Sequence, residues 1–350
     1  MINTVLLKEI CEVAGAPGRE QAVREIVFRE LAKTDAEIST DNMGNVTVKV
    51  KGKKESDSKK VMIAAHMDEI GFIITHIDEN GFLKFHPLGG FDPKTLTAQR
   101  VIVHGKQALV GVMGSKPIHI MSAKEREQNV KIDDFFIDMG LSKEEVDKVV
   151  SVGDVITRER ELIEMGNCVN CKSLDNRVSV FILIETLKNI KNPFYDTYGV
   201  FTVQEEVGLR GVYAATLAIQ PDFGFGLDTT IAYDVPGARA HEKITELGKG
   251  TAIKIMDAST ICDYRMVRFM KEQAEKESIK YQVEILTAGG TDTAGIQRMT
   301  AGGAIAGAIS IPTRHIHQVI EMVNKEDVKN SIDLLTKCLE NIGTYNWEFN

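Results

Sequence analysis

The sequence has no run of ~18 apolar residues, the length a membrane-spanning helix requires, so no membrane span is expected. It has no excess of positive charge. Lys and Arg number 42 against 50 Asp and Glu, a formal net charge of −8. That balance argues against a nucleic-acid backbone or an anionic membrane as the main partner. Cysteine is sparse and odd in number: Cys11, Cys168, Cys171, Cys262 and Cys338. Such a set fits a reducing compartment better than a disulfide framework. A secretory leader is not expected either, because Lys8 and Glu9 stand where its apolar core would lie. A cytoplasmic protein is the expectation. No internal repeat or low-complexity tract appears.

What is present is an ordinary globular composition, 43% hydrophobic and 26% charged over 350 residues. It predicts a sizeable core in one large or two moderate domains. Val61–Ala65 is an unbroken apolar run, the mark of a strand buried on both faces of a helix-flanked sheet. Gly199–Val203, Phe223–Leu227 and Ala304–Ile311 share that character. Helical spacing predicts two helices in the first ~35 residues, with Thr4 capping the first. Further helices are expected over Asn176–Ile190, Ala258–Ser278 and Lys325–Leu339, and a hairpin over Glu37–Lys51. Alternating helices and buried strands predict an α/β layered domain. Residues 72–165 differ. Short, often alternating strands punctuated by glycine predict a small β-barrel inserted into it, with one helix near Ser142–Val150. The α/β domain then comprises 1–71 and 166–350.

Ligands of such sheets bind outside the carboxyl ends of the strands. There the sequence places His66-Met67-Asp68-Glu69, Gln204-Glu205-Glu206, Asp228 and Pro312-Thr313-Arg314-His315-Ile316-His317. Asp175 precedes a predicted helix. Each has a bland alternative: a core histidine, a helix cap, a solvated pair, a turn residue. Together they are imidazoles and carboxylates, the donors that zinc, cobalt and manganese accept. Five such groups at one sheet edge would repel strongly without a cation. In His66-x-Asp68 the carboxylate can turn back on the histidine and fix its tautomer. Of Glu205 and Glu206, one can ligate while the other faces a water. His315 and His317 should face opposite ways on an extended segment. Cys168 and Cys171 have no second pair at a zinc-site spacing and are expected in a loop.

The residues Ala65-His66-Met67-Asp68-Glu69-Ile70-Gly71, Leu174-Asp175-Asn176-Arg177, Gln204–Gly211, Asp228, Gly289-Gly290-Thr291-Asp292 and Pro312–His317 resemble the tetrahedral (glutamyl or deblocking) aminopeptidases. Some members are labelled endoglucanase-like. The resemblance implies a three-layer, mixed-sheet metallopeptidase domain with the β-barrel inserted. It implies two divalent ions, Zn²⁺ or Co²⁺ first and Mn²⁺ third. Asp175 would bridge them, His66 and Asp228 completing one site and Glu206 and His317 the other. Glu205 would be the general base acting through a metal-held hydroxide, Asp68 the carboxylate behind His66, and Asp292 a substrate-pocket residue. Relatives often carry tyrosine and serine where His315 and Gln318 stand. The implied activity is removal of amino-terminal residues from peptides, in dimers built into a tetrahedral dodecamer. Two rival readings are an endo-1,4-glucanase and a co-catalytic deacylase of N-acyl amino acids.

Overall fold

The computed structural model describes residues 2–54 and 59–349. Four parallel strands form the centre of a mixed sheet: Asp196–Thr202, Lys60–His66, Phe223–Ile231 and Ile305–Arg314, in that order. The hairpin Glu37–Thr40 and Val46–Val50 extends one side antiparallel. On the other side Ile305–Arg314 is flanked by Thr251–Met256 and Glu321–Asn324, both antiparallel. Eleven strands belong to this sheet among the described residues.

Side-chain alternation creates the layers. In Lys60–His66, Val61, Ile63 and Ala65 enter the larger core with the helices Thr4–Glu12, Gln21–Leu31, Leu174–Asn189 and Lys325–Asn341. Met62 and Ala64 face a second core under the helices Arg210–Ile219 and Thr293–Arg298. Every side chain from Val61 to His66 is buried. A strand covered on both faces has no polar positions to offer, hence the unbroken apolar run.

Six antiparallel strands close a separate barrel: Gly71–Ile77, Leu83–Leu88, Phe136–Asp138, Ala108–Gly114, Arg100–His104 and Val155–Arg158. It has its own core around Phe72, Val101, Ile137 and Ile156. Among the described residues no helix is long and apolar enough to cross a membrane.

Several elements differ from expectation. Asn3, not Thr4, caps the first helix, its side chain accepting from Leu6 N at 3.1 Å. The helix expected from Ala258 begins at Tyr264. The Asp257 carboxylate binds the amides of Ser259 and Thr260 in a turn, and Asp263 caps the helix beyond it. The strand from Phe223 runs on to Ile231, so Asp228 lies within it. Cys168–Cys171 is not a loop but a strand paired with Glu321–Asn324. The helix Arg210–Ile219 and the paired strands Thr251–Met256 and Tyr281–Ile285 lie outside the predicted elements.

Candidate metal centre

His66 is the last residue of its strand, in register with Thr202 on the neighbouring one. Glu205 and Glu206 therefore start from the same level of the sheet. The Asp68 carboxylate holds them there, accepting from Glu205 N at 3.0 Å and Glu206 N at 3.1 Å. The sequence suggested that this carboxylate serves His66. Its nearest oxygen is 3.5 Å from His66 Nδ1, while the Asp68 carbonyl is 3.0 Å away. The backbone carbonyl of Asp68 lies nearest the histidine, its carboxylate stands close behind, and that carboxylate also orients the two glutamates.

Asp175 and Asn176 have non-helical backbone angles at the start of Leu174–Asn189. Asn176 Nδ2 donates to Leu227 O at 2.8 Å, which fastens the helix beside Asp228. The two oxygens of Asp175 part company: Oδ1 lies 3.5 Å from His66 Nε2 and Oδ2 lies 3.4 Å from His317 Nε2. Asp228 Oδ1 is 3.8 Å from His66 Nε2, and Glu206 Oε2 is 3.7 Å from His317 Nε2. Glu205 Oε2 is 3.8 Å from His66 Nε2. Two sets, His66–Glu205–Asp228 and His66–Asp175–Glu206, each offer donor atoms within 4.8 Å of one another.

His317 therefore reaches the cluster, and His315 does not. Both have positive φ (64° and 62°), beyond the end of the strand at Arg314. The segment is a turn, not extended. His315 lines the adjoining cavity.

Two residues the sequence did not single out complete the frame. Glu321, buried, accepts from Asp175 N at 2.9 Å and His317 N at 2.8 Å. Arg158, from the last barrel strand, donates Nη1 to His317 O at 2.9 Å. Buried Glu69 pairs with Lys172 (2.6 Å) and Arg177 (3.3 Å). Asp292 turns its carboxylate to Thr202 Oγ1, while its neighbours Gly289, Gly290 and Thr291 line the cavity.

The electrostatics call for a cation. Burial pushes the Glu205 carboxyl well above its usual range, against the pull of His66. Burial and the Asp175 charge push Glu206 up to about 8. Asp228 is raised by burial, with His66 opposing. Asp175 goes the other way: burial acts upward, but its contacts with His317 and His66 prevail. Burial acts to lower His317, yet Asp175 and Glu206 bring it up to about 9. Carboxylates crowded with histidines and strained in their protonation form a donor set suited to divalent metal.

A family model described as M42 glutamyl aminopeptidase matches residues 44–334. The chain belongs to this family. Among other members, a "Putative aminopeptidase" of Acetivibrio thermocellus is 38% identical over 335 residues, covering 95% of this chain and 97% of that protein. The solved aminopeptidase APDkam598 from the archaeon Desulfurococcus kamchatkensis superposes with a TM-score of 0.92 at 38% identity, covering 96% of this chain and 94% of that one. The Pyrococcus horikoshii TET1 peptidase, described as assembling into a tetrahedron or a large octahedral shell, gives 0.83 at 30% identity over 96% of this chain and 98% of that one. The M42 fold of α/β domain and closed barrel is thus the frame in which the cluster sits. Beside it opens a cavity of about 800 Å³.

Proposed function

We propose that this M42 protein is a cytoplasmic aminopeptidase dependent on two divalent ions, Zn²⁺ or Co²⁺ by preference and Mn²⁺ third. The observation that carries the reading is the division of the Asp175 oxygens between His66 and His317. A carboxylate so placed can serve two ions at once. His66 and Asp228 would hold one, and Glu206 and His317 the other. Bound there, the ions supply Lewis acidity and lower the pKa of water.

The chain's own part is proton handling and positioning. Glu205 takes a proton from the attacking water and delivers it to the leaving amine. The carbon–oxygen bond forms and the carbon–nitrogen bond breaks. Glu205 is buried with its Oε2 3.8 Å from His66 Nε2, which puts its carboxylate beside the cluster where that water would sit. Asp68 keeps Glu205 and Glu206 aimed by their amides. Asp292 shapes the substrate pocket through the Gly289–Thr291 loop. Residues 1–71 and 166–350 form the catalytic domain, and the barrel of 72–165 carries contacts between copies, in dimers assembled as a tetrahedral dodecamer.

The test is a chelated sample to which each metal is added back. It is assayed on free-amine peptides, N-acetylated peptides and a β-glucan. Activity restored only by metal and only on free amines is the expected outcome. Glucan hydrolysis that survives chelation, or faster cleavage of N-acetylated substrates, sinks the proposal.

A further inference from the structure

We infer that the cavity takes an apolar rather than an acidic amino-terminal side chain, and that Glu284 and Asp257 impose this by more than balancing the charge of Lys254. The inference rests on the aminopeptidase reading above.

The cavity wall beyond the metal cluster is formed largely by Leu209, Ile231, Tyr233, Val235, Leu286 and Ile316. None of the six is buried, and Ile231 and Tyr233 are 39% and 44% exposed. Exposed and half-buried apolar side chains gathered around one concavity are the signature of a site for an apolar group. Lys254 is the one lysine or arginine among the described residues lining it. That lysine is already committed. Its Nζ lies 2.9 Å from Glu284 Oε1 and 3.2 Å from Asp257 Oδ2, and all three residues are buried. Asp257 is held in turn by Thr291 Oγ1 and by the amides of Ser259 and Thr260. Glu284 Oε1 also accepts from Thr230 Oγ1 at 2.8 Å.

An acidic side chain entering the cavity finds a cation that two carboxylates have taken. It would lose its hydration and gain no partner. A leucyl, methionyl or phenylalanyl side chain exchanges water for those walls at no electrostatic penalty.

The experiment compares kcat/KM for leucyl, methionyl, phenylalanyl and glutamyl p-nitroanilides on the metal-loaded full chain. The apolar substrates should exceed the glutamyl one by about tenfold or more. A glutamyl substrate cleaved as well as the leucyl one overturns the inference and leaves the aminopeptidase reading intact. No cleavage of any substrate by metal-loaded protein overturns both. Glu284→Gln keeps an acceptor for Thr230 and removes the surplus negative charge, leaving Lys254 balanced by Asp257 alone. It should raise the glutamyl-to-leucyl ratio about tenfold, and an unchanged ratio removes Glu284 from the account. Ile231→Lys, at an exposed position where folding is not at stake, should move the same ratio in the same direction. Failure of that shift means the wall does not contact the side chain, and the inference falls.

Discussion

Asp175 could divide its oxygens between two histidines only if its backbone were fixed, and Glu321 fixes it. One carboxylate takes the amides of Asp175 and His317 together. Glu321→Gln leaves one of those amides facing an NH₂ group. Metal affinity should fall ~10–100-fold, read by competition with a chromogenic chelator. An unchanged affinity would show that the clamp is dispensable. Glu205→Gln has the opposite signature. Metal content measured by mass spectrometry should hold while kcat falls ~10²–10⁴-fold. A variant that retains its turnover would show that Glu205 does not move the proton. These two residues also mark what could be read in advance. Glu205's place in the cluster was legible because it follows a buried apolar run at the edge of the sheet. Glu321 and Arg158 act on backbone atoms, which leave no pattern of side-chain types. The preference for His317 over His315 came from the family motif, while the positive-φ turn that carries both leaves no trace in residue spacing.

Elements were legible where burial dictated composition. The four central strands read as apolar runs because both faces are covered. The barrel strands read by alternation and by their glycines. Helix Arg210–Ile219 has no start signal in the sequence, because it begins from Leu209 in a left-handed conformation with no capping side chain. The seam between barrel and sheet was equally silent, although it bears on the site. Gly89 has φ of 101°, and a Cβ there would stand 2.4 Å from Ile70 Cγ2 and 3.3 Å from Glu206 Oε2. Gly89→Ala should displace Glu206 and weaken metal binding about tenfold, while the barrel keeps its circular-dichroism spectrum. Normal affinity in that variant would mean the seam yields elsewhere.

At the scale of the whole molecule, the metal-free state should be sensitive to alkali. Folding raises Glu206 and Glu321 from 4.5 to about 8, and His317 from 6.5 to about 9. All three bind protons more tightly folded than unfolded. The stability they add is complete below their unfolded values and is lost as pH rises through 8 to 9. The melting temperature of chelated protein should therefore drop between about pH 6 and pH 9, and saturating metal should flatten the drop. A chelated protein indifferent to pH over that range would contradict the crowding of charge described above. Assembly is a separate question. Light scattering should report about twelve chains of 38.7 kDa each, and a stable monomer would exclude the proposed dodecamer. Arg158 has one more implication. It reaches from the barrel to the carbonyl of His317, and Gly90 of the same module lines the cavity. Anyone seeking a minimal catalyst by trimming the barrel, or a chimaera by exchanging it, would be cutting into the wall of the reaction vessel itself. The module would have to be transplanted together with the turn that carries His317.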